Sequence, residues 1–172
     1  MENEYKELLL RDTCSRLPYG LIVQYKQKSF CPQSEYTVDV KVEMDEMLQH
    51  RLKLLDFKPY LRSVKNMTEE EVKDLVKVKI LSKYGKENDY GGLNNIKSIK
   101  NFWFSSMHNQ WFCDVTFNTI DGKCTQCFSV GGVTWETTIA EIDWLNKNKF
   151  DYRGLIPKGI ALEAPKDMYN KI

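Results

Sequence analysis

The sequence has no long apolar run. Its longest uninterrupted strongly apolar stretches are short triplets, such as Leu8, Leu9 and Leu10 or Phe102, Trp103 and Phe104. A membrane-crossing helix needs about 20 apolar residues, and a secretory leader needs a core of about 7–15. Neither is expected, and the acidic start Met1-Glu2-Asn3-Glu4 does not suit a leader either. The chain therefore reads as a soluble cytoplasmic protein with no membrane partner. An excess of one charge sign is also missing: 25 Lys and Arg against 24 Asp and Glu leave a formal charge of +1. That balance excludes a protein built as a non-specific polyanion or polycation binder, while leaving room for a small local patch. With 9 Gly and 5 Pro, the chain is neither collagen-like nor a linker. Five cysteines, an odd number without a leader, favour reduced thiols. Histidine is scarce, with only His50 and His108 present. No G-x-S-x-G, H-E-x-x-H, P-loop or G-x-G-x-x-G occurs. No nucleophile, base and oxyanion donor can be assigned from these residues, so an enzyme is not favoured and neither catalytic residues nor a cofactor is expected.

What the chain does have is 42% hydrophobic and 12% aromatic residues, enough to bury a core without disulfides or a structural metal. Residues 4–17 read as a helix, with Leu10, Cys14 and Leu17 on one stripe and Leu9 beside it. Pro18-Tyr19-Gly20 ends it, and 21–25 follow as a strand. Residues 36–43 alternate strictly, placing Tyr36, Val38, Val40 and Val42 on one face of a half-buried strand. The 44–57 segment fits either a helix or a strand. A strand over 50–57, closed by Lys58-Pro59, gives the first two strands a partner.

The helix at 68–82 opens with a Thr68/Glu71 capping box, and Val72, Leu75, Val76, Lys79 and Ile80 form its stripe. Residues 84–95 read as a loop. A three-stranded meander is expected over 100–130. Asp121-Gly122 suits a two-residue turn that pairs Ile120 with Lys123, Phe117 with Gln126, Val115 with Phe128 and Cys113 with Val130. A second capping box, Thr138/Glu141, opens a helix to about Lys149, with Ile139, Ile142 and Leu145 inward. The turn-rich tail from Phe150 carries Leu155, Ile156, Ile160, Leu162 and Tyr169, which should pack onto the fold. The expectation is α+β: a largely antiparallel sheet of about five to six strands packed with three helices. All of 1–172 is expected to form a single domain, with a possible N-terminal lobe over 1–65 and a C-terminal part over 66–172.

Three blocks stand out together: LLLRDTCSRLPYG at 8–20, KPYLRSVKNMTEEE at 58–71, and EIDWLNKNKFDYRGLIPKGIALEAPKDMY at 141–169. They cover about a third of the chain and resemble a family of small uncharacterised proteins of gut anaerobic bacteria and of their phages and mobile elements. Ser63 departs from that pattern, where the family often has proline, and 84–135 carries no resemblance. The resemblance implies a phage or mobile-element accessory protein. It carries no activity to transfer.

Several constellations are candidates for function. His108, Cys113, Cys124 and Cys127 lie within 20 residues and are of zinc-ligand type. Against that, Cys124 and Cys127 are an odd number apart and would point to opposite faces of a strand, so ordinary sheet cysteines are favoured and no metal is expected. Tyr60 and Arg62, Lys147 and Lys149, and Tyr152, Arg153 and Lys158 mix aromatics with cations, as nucleic-acid contacts do. Solvated helix ends and tail anchors explain the same residues. The favoured function is binding of a protein partner or self-association, with nucleic-acid binding or a zinc domain as alternatives. Tyr19, Tyr60, Arg62, Tyr152 and Arg153 are the candidate binding residues, since they lie in the three blocks and beside turns.

Overall fold

The computed structural model describes residues 2–28, 35–42, 57–85 and 92–169. In chain order the elements are α1 (Glu2–Arg16), β1 (Leu21–Lys28), β2 (Glu35–Val42), β3 (Phe57–Leu61), α2 (Glu69–Tyr84), β4 (Ile96–Ser105), β5 (Gln110–Thr119), β6 (Gly122–Val130), α3 (Ile139–Lys147) and β7 (Leu162–Glu163). The class is α+β. The strands form two sheets rather than one, a four-stranded sheet in the order β2-β1-β3-β7 and a three-stranded sheet β4-β5-β6. The chain divides into two compact units: Met1–Arg62 with Arg153–Ile172, and Ser63–Tyr152.

The first unit has its own core of Leu17, Leu21, Val23, Phe57, Leu61, Leu155 and Ala161. The tail supplies two of these residues, and Tyr169 fastens it by donating its hydroxyl to the Tyr60 carbonyl. Gly20 turns the chain from α1 into β1 with φ at 66°, a left-handed value that glycine adopts without strain. The inward face of α1 differs from the expected stripe. Leu10 is 40% exposed and Cys14 is exposed as well. The buried residues are Leu9, Asp12, Thr13, Arg16 and, just past the helix, Leu17. Arg16 Nε and a terminal guanidinium nitrogen donate to the two Asp12 carboxylate oxygens at 2.7 and 2.9 Å. This fork neutralises both charges one helical turn apart, so a charged face can enter the core.

Two strand expectations change in this unit. β3 contains Lys58 and Pro59 instead of ending before them, and Pro59 pairs with Val23. Its other neighbour, β7, meets β3 only at Tyr60 and Leu61, beyond the proline. β2 is an edge strand, and its Val40, on the face expected to be apolar and buried, is exposed. Of the strand expected over 50–57, residues 50–56 lie outside the described residues, and Phe57 begins β3.

In the second unit, Val72, Leu75, Val76 and Ile80 of α2 meet Cys113, Val115 and Phe117 of β5, Phe128 and Val130 of β6, and Leu145 of α3. The expected α2 stripe is buried as a whole, including Lys79. Both capping boxes form. Glu71 N donates to Thr68 Oγ1 at 3.2 Å, and Thr68 N returns to Glu71 Oε2 at 2.9 Å. Thr138 and Glu141 repeat this at 3.3 and 2.9 Å. Lys79 Nζ crosses the core to donate to the Ser129 carbonyl at 2.8 Å and lies 3.7 Å from Glu141 Oε1, tying α2, β6 and α3 together.

The β5–β6 hairpin has the expected faces but a shifted register. Val115 pairs with Gln126, Cys113 with Phe128 and Trp111 with Val130, two residues from the expected partners. The turn residues are Ile120 and Asp121, neither with positive φ, and Gly122 carries the positive value of 129°. A two-residue slip keeps every side chain on its face, so the apolar pattern could not detect it.

Candidate functional site

Each unit places the candidate binding residues separately. Tyr19, Tyr60, Arg62 and Arg153 belong to the first unit, and Tyr152 belongs to the second. Tyr60 is buried on β3. Its hydroxyl donates to Asp39 Oδ1 at 3.0 Å and accepts from Gln24 Nε2 at 3.0 Å. Burial, reinforced by the Asp39 carboxylate, pushes the Tyr60 phenol above the usual tyrosine range. Tyr152 is buried too and donates to Asn146 Oδ1 at 3.0 Å. Arg153 Nε lies 3.8 Å from Asp12 Oδ1, at the rim of the α1 ion pair. Tyr19 and Arg62 are half-buried. The polar ends of Tyr60 and Tyr152 are thus committed to bonds inside their own units.

The four zinc-type residues also separate. Cys113 is fully buried in the core of the second unit. Burial, with Cys127 and Asp114 adding, pushes its thiol up to about 12. Cys124 faces the same side but opposes Phe117, four residues further along β5, while Cys127 opposes Asp114 and is exposed on the other side. His108 sits in the turn between β4 and β5, edge-on to Phe112 at 6.5 Å. Among the described residues, no three His, Cys, Asp or Glu side chains are disposed to hold a metal ion.

A different cluster stands out on the surface. From the end of β6 to the first residue of α3 the chain exposes Val133 (53%), Trp135 (93%) and Ile139 (86%). Ile139 was expected on the inward face of α3. Leu145 is buried as expected and Ile142 packs partly against the core, but Glu141 and Asn146 take the remaining buried places. The segment is held by its own bonds. Thr137 Oγ1 accepts from Thr134 N at 2.8 Å and donates to the Gly132 carbonyl at 3.2 Å. Glu136 N donates to Thr134 Oγ1 at 3.2 Å, and Thr137 N to the Thr134 carbonyl at 3.1 Å. Glu136 reaches Lys83 of α2 at 3.5 Å, and Ser82 Oγ meets Thr138 Oγ1 at 2.8 Å. At its base, a Cβ on Gly132 would come within 2.4 Å of Gln110 Cγ, so a larger residue there would force the Gln110 side chain to move.

A threonine-braced turn thus presents a tryptophan and an isoleucine to water. Sequence reasoning missed Trp135 because it lies outside the regular elements. The available signal was an aromatic set among Thr134, Glu136, Thr137 and Thr138, with no apolar neighbour on either side.

No family model, curated protein or solved structure matches the chain.

Proposed function

We propose that this chain is a non-enzymatic accessory protein that binds a protein partner, with the contact centred on residues 133–139. The observation that carries this is the exposure of Trp135 and Ile139 on a segment pinned by hydrogen bonds. Tryptophan is enriched among the anchors of protein interfaces, where it fills a pocket on the partner. A pre-shaped segment loses little conformational freedom on binding, which favours affinity. Thr134, Glu136 and Thr137 surround the apolar residues with polar groups, the arrangement of an interface centre and its rim.

The three sequence blocks support placing this role in a phage or mobile element. A cytoplasmic setting belongs to the same proposal, supported by the free thiols of Cys14, Cys113, Cys124 and Cys127.

The test is affinity capture from the bacterium that carries the gene, comparing wild type with the double variant Trp135→Ala, Ile139→Ser. Both positions are exposed, so the variant should keep its fold. Wild type should retain a specific protein that the variant loses. If that protein is a second copy of the chain, sedimentation should show a dimer for wild type and a monomer for the variant. An identical capture profile for both would refute the proposal.

A further inference from the structure

The helices and core of the second unit occupy one face of the β4-β5-β6 sheet, and no described element of that unit packs on the other. Along it lie four rows. At one end are Trp103 and Phe112, directly paired across β4 and β5 and stacked at 5.5 Å with their planes 12° apart. His108 stands edge-on to Phe112 beyond them. Next come Lys100 and Asp114, which are paired across the strands, with Cys127 alongside. Then follow Ser98, Thr116 and Thr125, the two threonine hydroxyls 3.0 Å apart. At the far end Lys123 is paired with Asn118, and Lys97 reaches the same place from β4.

This face is not an ordinary solvated sheet surface. Lys97, Lys100 and Lys123 are exposed, and among the described residues none of them has a carboxylate within ion-pair distance. The Lys123 ammonium, with Lys100 adding, pulls the Lys97 pKa below the usual lysine range. A group of ammonium charges on one face attracts an anion. On the same face, the Asp114 carboxylate accepts from Asn101 Nδ2 at 2.8 Å. An exposed Trp103 stacked on a half-buried Phe112, with exposed lysines further along the same face, complements a ligand carrying both π-faces and phosphates.

We infer that the open face of this sheet binds a single-stranded nucleic acid, with bases stacking on Trp103 and Phe112 and the backbone running toward Lys100, Lys97 and Lys123. Bases stack on any aromatic platform regardless of sequence, while a basic track follows the phosphates. A duplex has its bases already stacked and offers no free π-face, so the site selects single strands. The residues differ from those of the proposed protein contact, and the inference stands apart from it.

Labelled oligo(dT), oligo(rU) and a duplex of equal length distinguish the possible ligands by fluorescence anisotropy in a salt series. Single strands should bind more tightly than the duplex. The affinity should fall with salt at a log–log slope of about −2, as three phosphate contacts produce at about −0.7 each. Trp103→Ala should weaken binding about 5- to 150-fold, the range of one lost base stack. Combining Lys97→Gln, Lys100→Gln and Lys123→Gln should abolish the salt dependence. All four positions are exposed, and circular dichroism checks that each variant is folded. A preference between oligo(dT) and oligo(rU) would assign the site to DNA or RNA. Trp135→Ala should leave this binding unchanged, which separates failure here from failure of the protein contact. No binding of either single strand, equal binding of duplex, or affinity indifferent to Trp103→Ala would overturn the inference.

Discussion

Asp12 and Arg16 form a fully buried ion pair in the first unit, and Asp12→Asn should damage that unit severely. Both side chains are completely buried, and two hydrogen bonds of 2.7 and 2.9 Å close the fork. The substitution keeps shape and volume but removes the carboxylate that the buried Arg16 fork binds. Breaking a buried pair from one side costs about 3–5 kcal/mol, against a whole-domain stability of about 5–15 kcal/mol. At about 4–8 °C per kcal/mol for a unit of this size, even the lower figure lowers the melting temperature by about 12 °C or more. Replacing both partners by apolar residues, Asp12→Leu with Arg16→Met, removes the charge and the need for it. That double variant should recover most of the loss, since apolar replacement of a buried pair is often neutral or stabilising. The assay is guanidinium and thermal unfolding followed by far-ultraviolet circular dichroism. Tryptophan fluorescence, recorded alongside, reports the second unit, because Trp103, Trp111, Trp135 and Trp144 all fall within it. A loss below about 1 kcal/mol for Asp12→Asn, the scale of an exposed pair, would refute the reasoning. So would a double variant no more stable than the single one.

Three further outcomes follow from the same geometry. Thr138→Ala removes the hydroxyl that caps α3 and meets Ser82, and should cost about 1–2 kcal/mol in denaturant unfolding, whereas Thr138→Ser should cost much less. Cys113, buried and with its thiol raised to about 12, should escape alkylation at neutral pH while exposed Cys14 is labelled. Equal labelling by peptide mass spectrometry would contradict its burial. Tyr169 is raised to about 12 by burial, partly offset by Ile22 and Arg16. Its folded value thus lies above the unfolded value of about 10, so its contribution is intact below about pH 10 and lost between about pH 10 and 12. Tyr169→Phe should flatten that alkaline decline in unfolding free energy, and an unchanged slope would count against it.

Sequence patterns revealed the second unit better than the first. In α2 the capping box and the apolar period agree, so its boundaries and buried face were both readable, down to Lys79. Polar partners hide elsewhere. Asp12 and Arg16 look like a solvent face until their fork closes, and the apolar stripe through Leu10 and Cys14 misled for that reason. In α3, Ile139 sits at the first helical position, where apolar spacing suggests burial, yet Glu141 takes the inward place through Lys79. The hairpin register was open because a two-residue slip exchanges partners without exchanging faces. As for the site, tyrosines beside turns suggested a surface, whereas Tyr60 and Tyr152 spend their hydroxyls on Asp39 and Asn146. Trp135 and the open sheet face depend on which side of each element is left uncovered, which no local pattern states.

The central claim is that residues 133–139 meet a protein partner, and photo-crosslinking in the native host tests it most directly. A photoreactive amino acid at position 135 should trap one protein in a defined adduct. The same group at position 120, a fully exposed turn residue of the same unit, should trap none. Matching adducts from both positions, or none from position 135, would contradict the account.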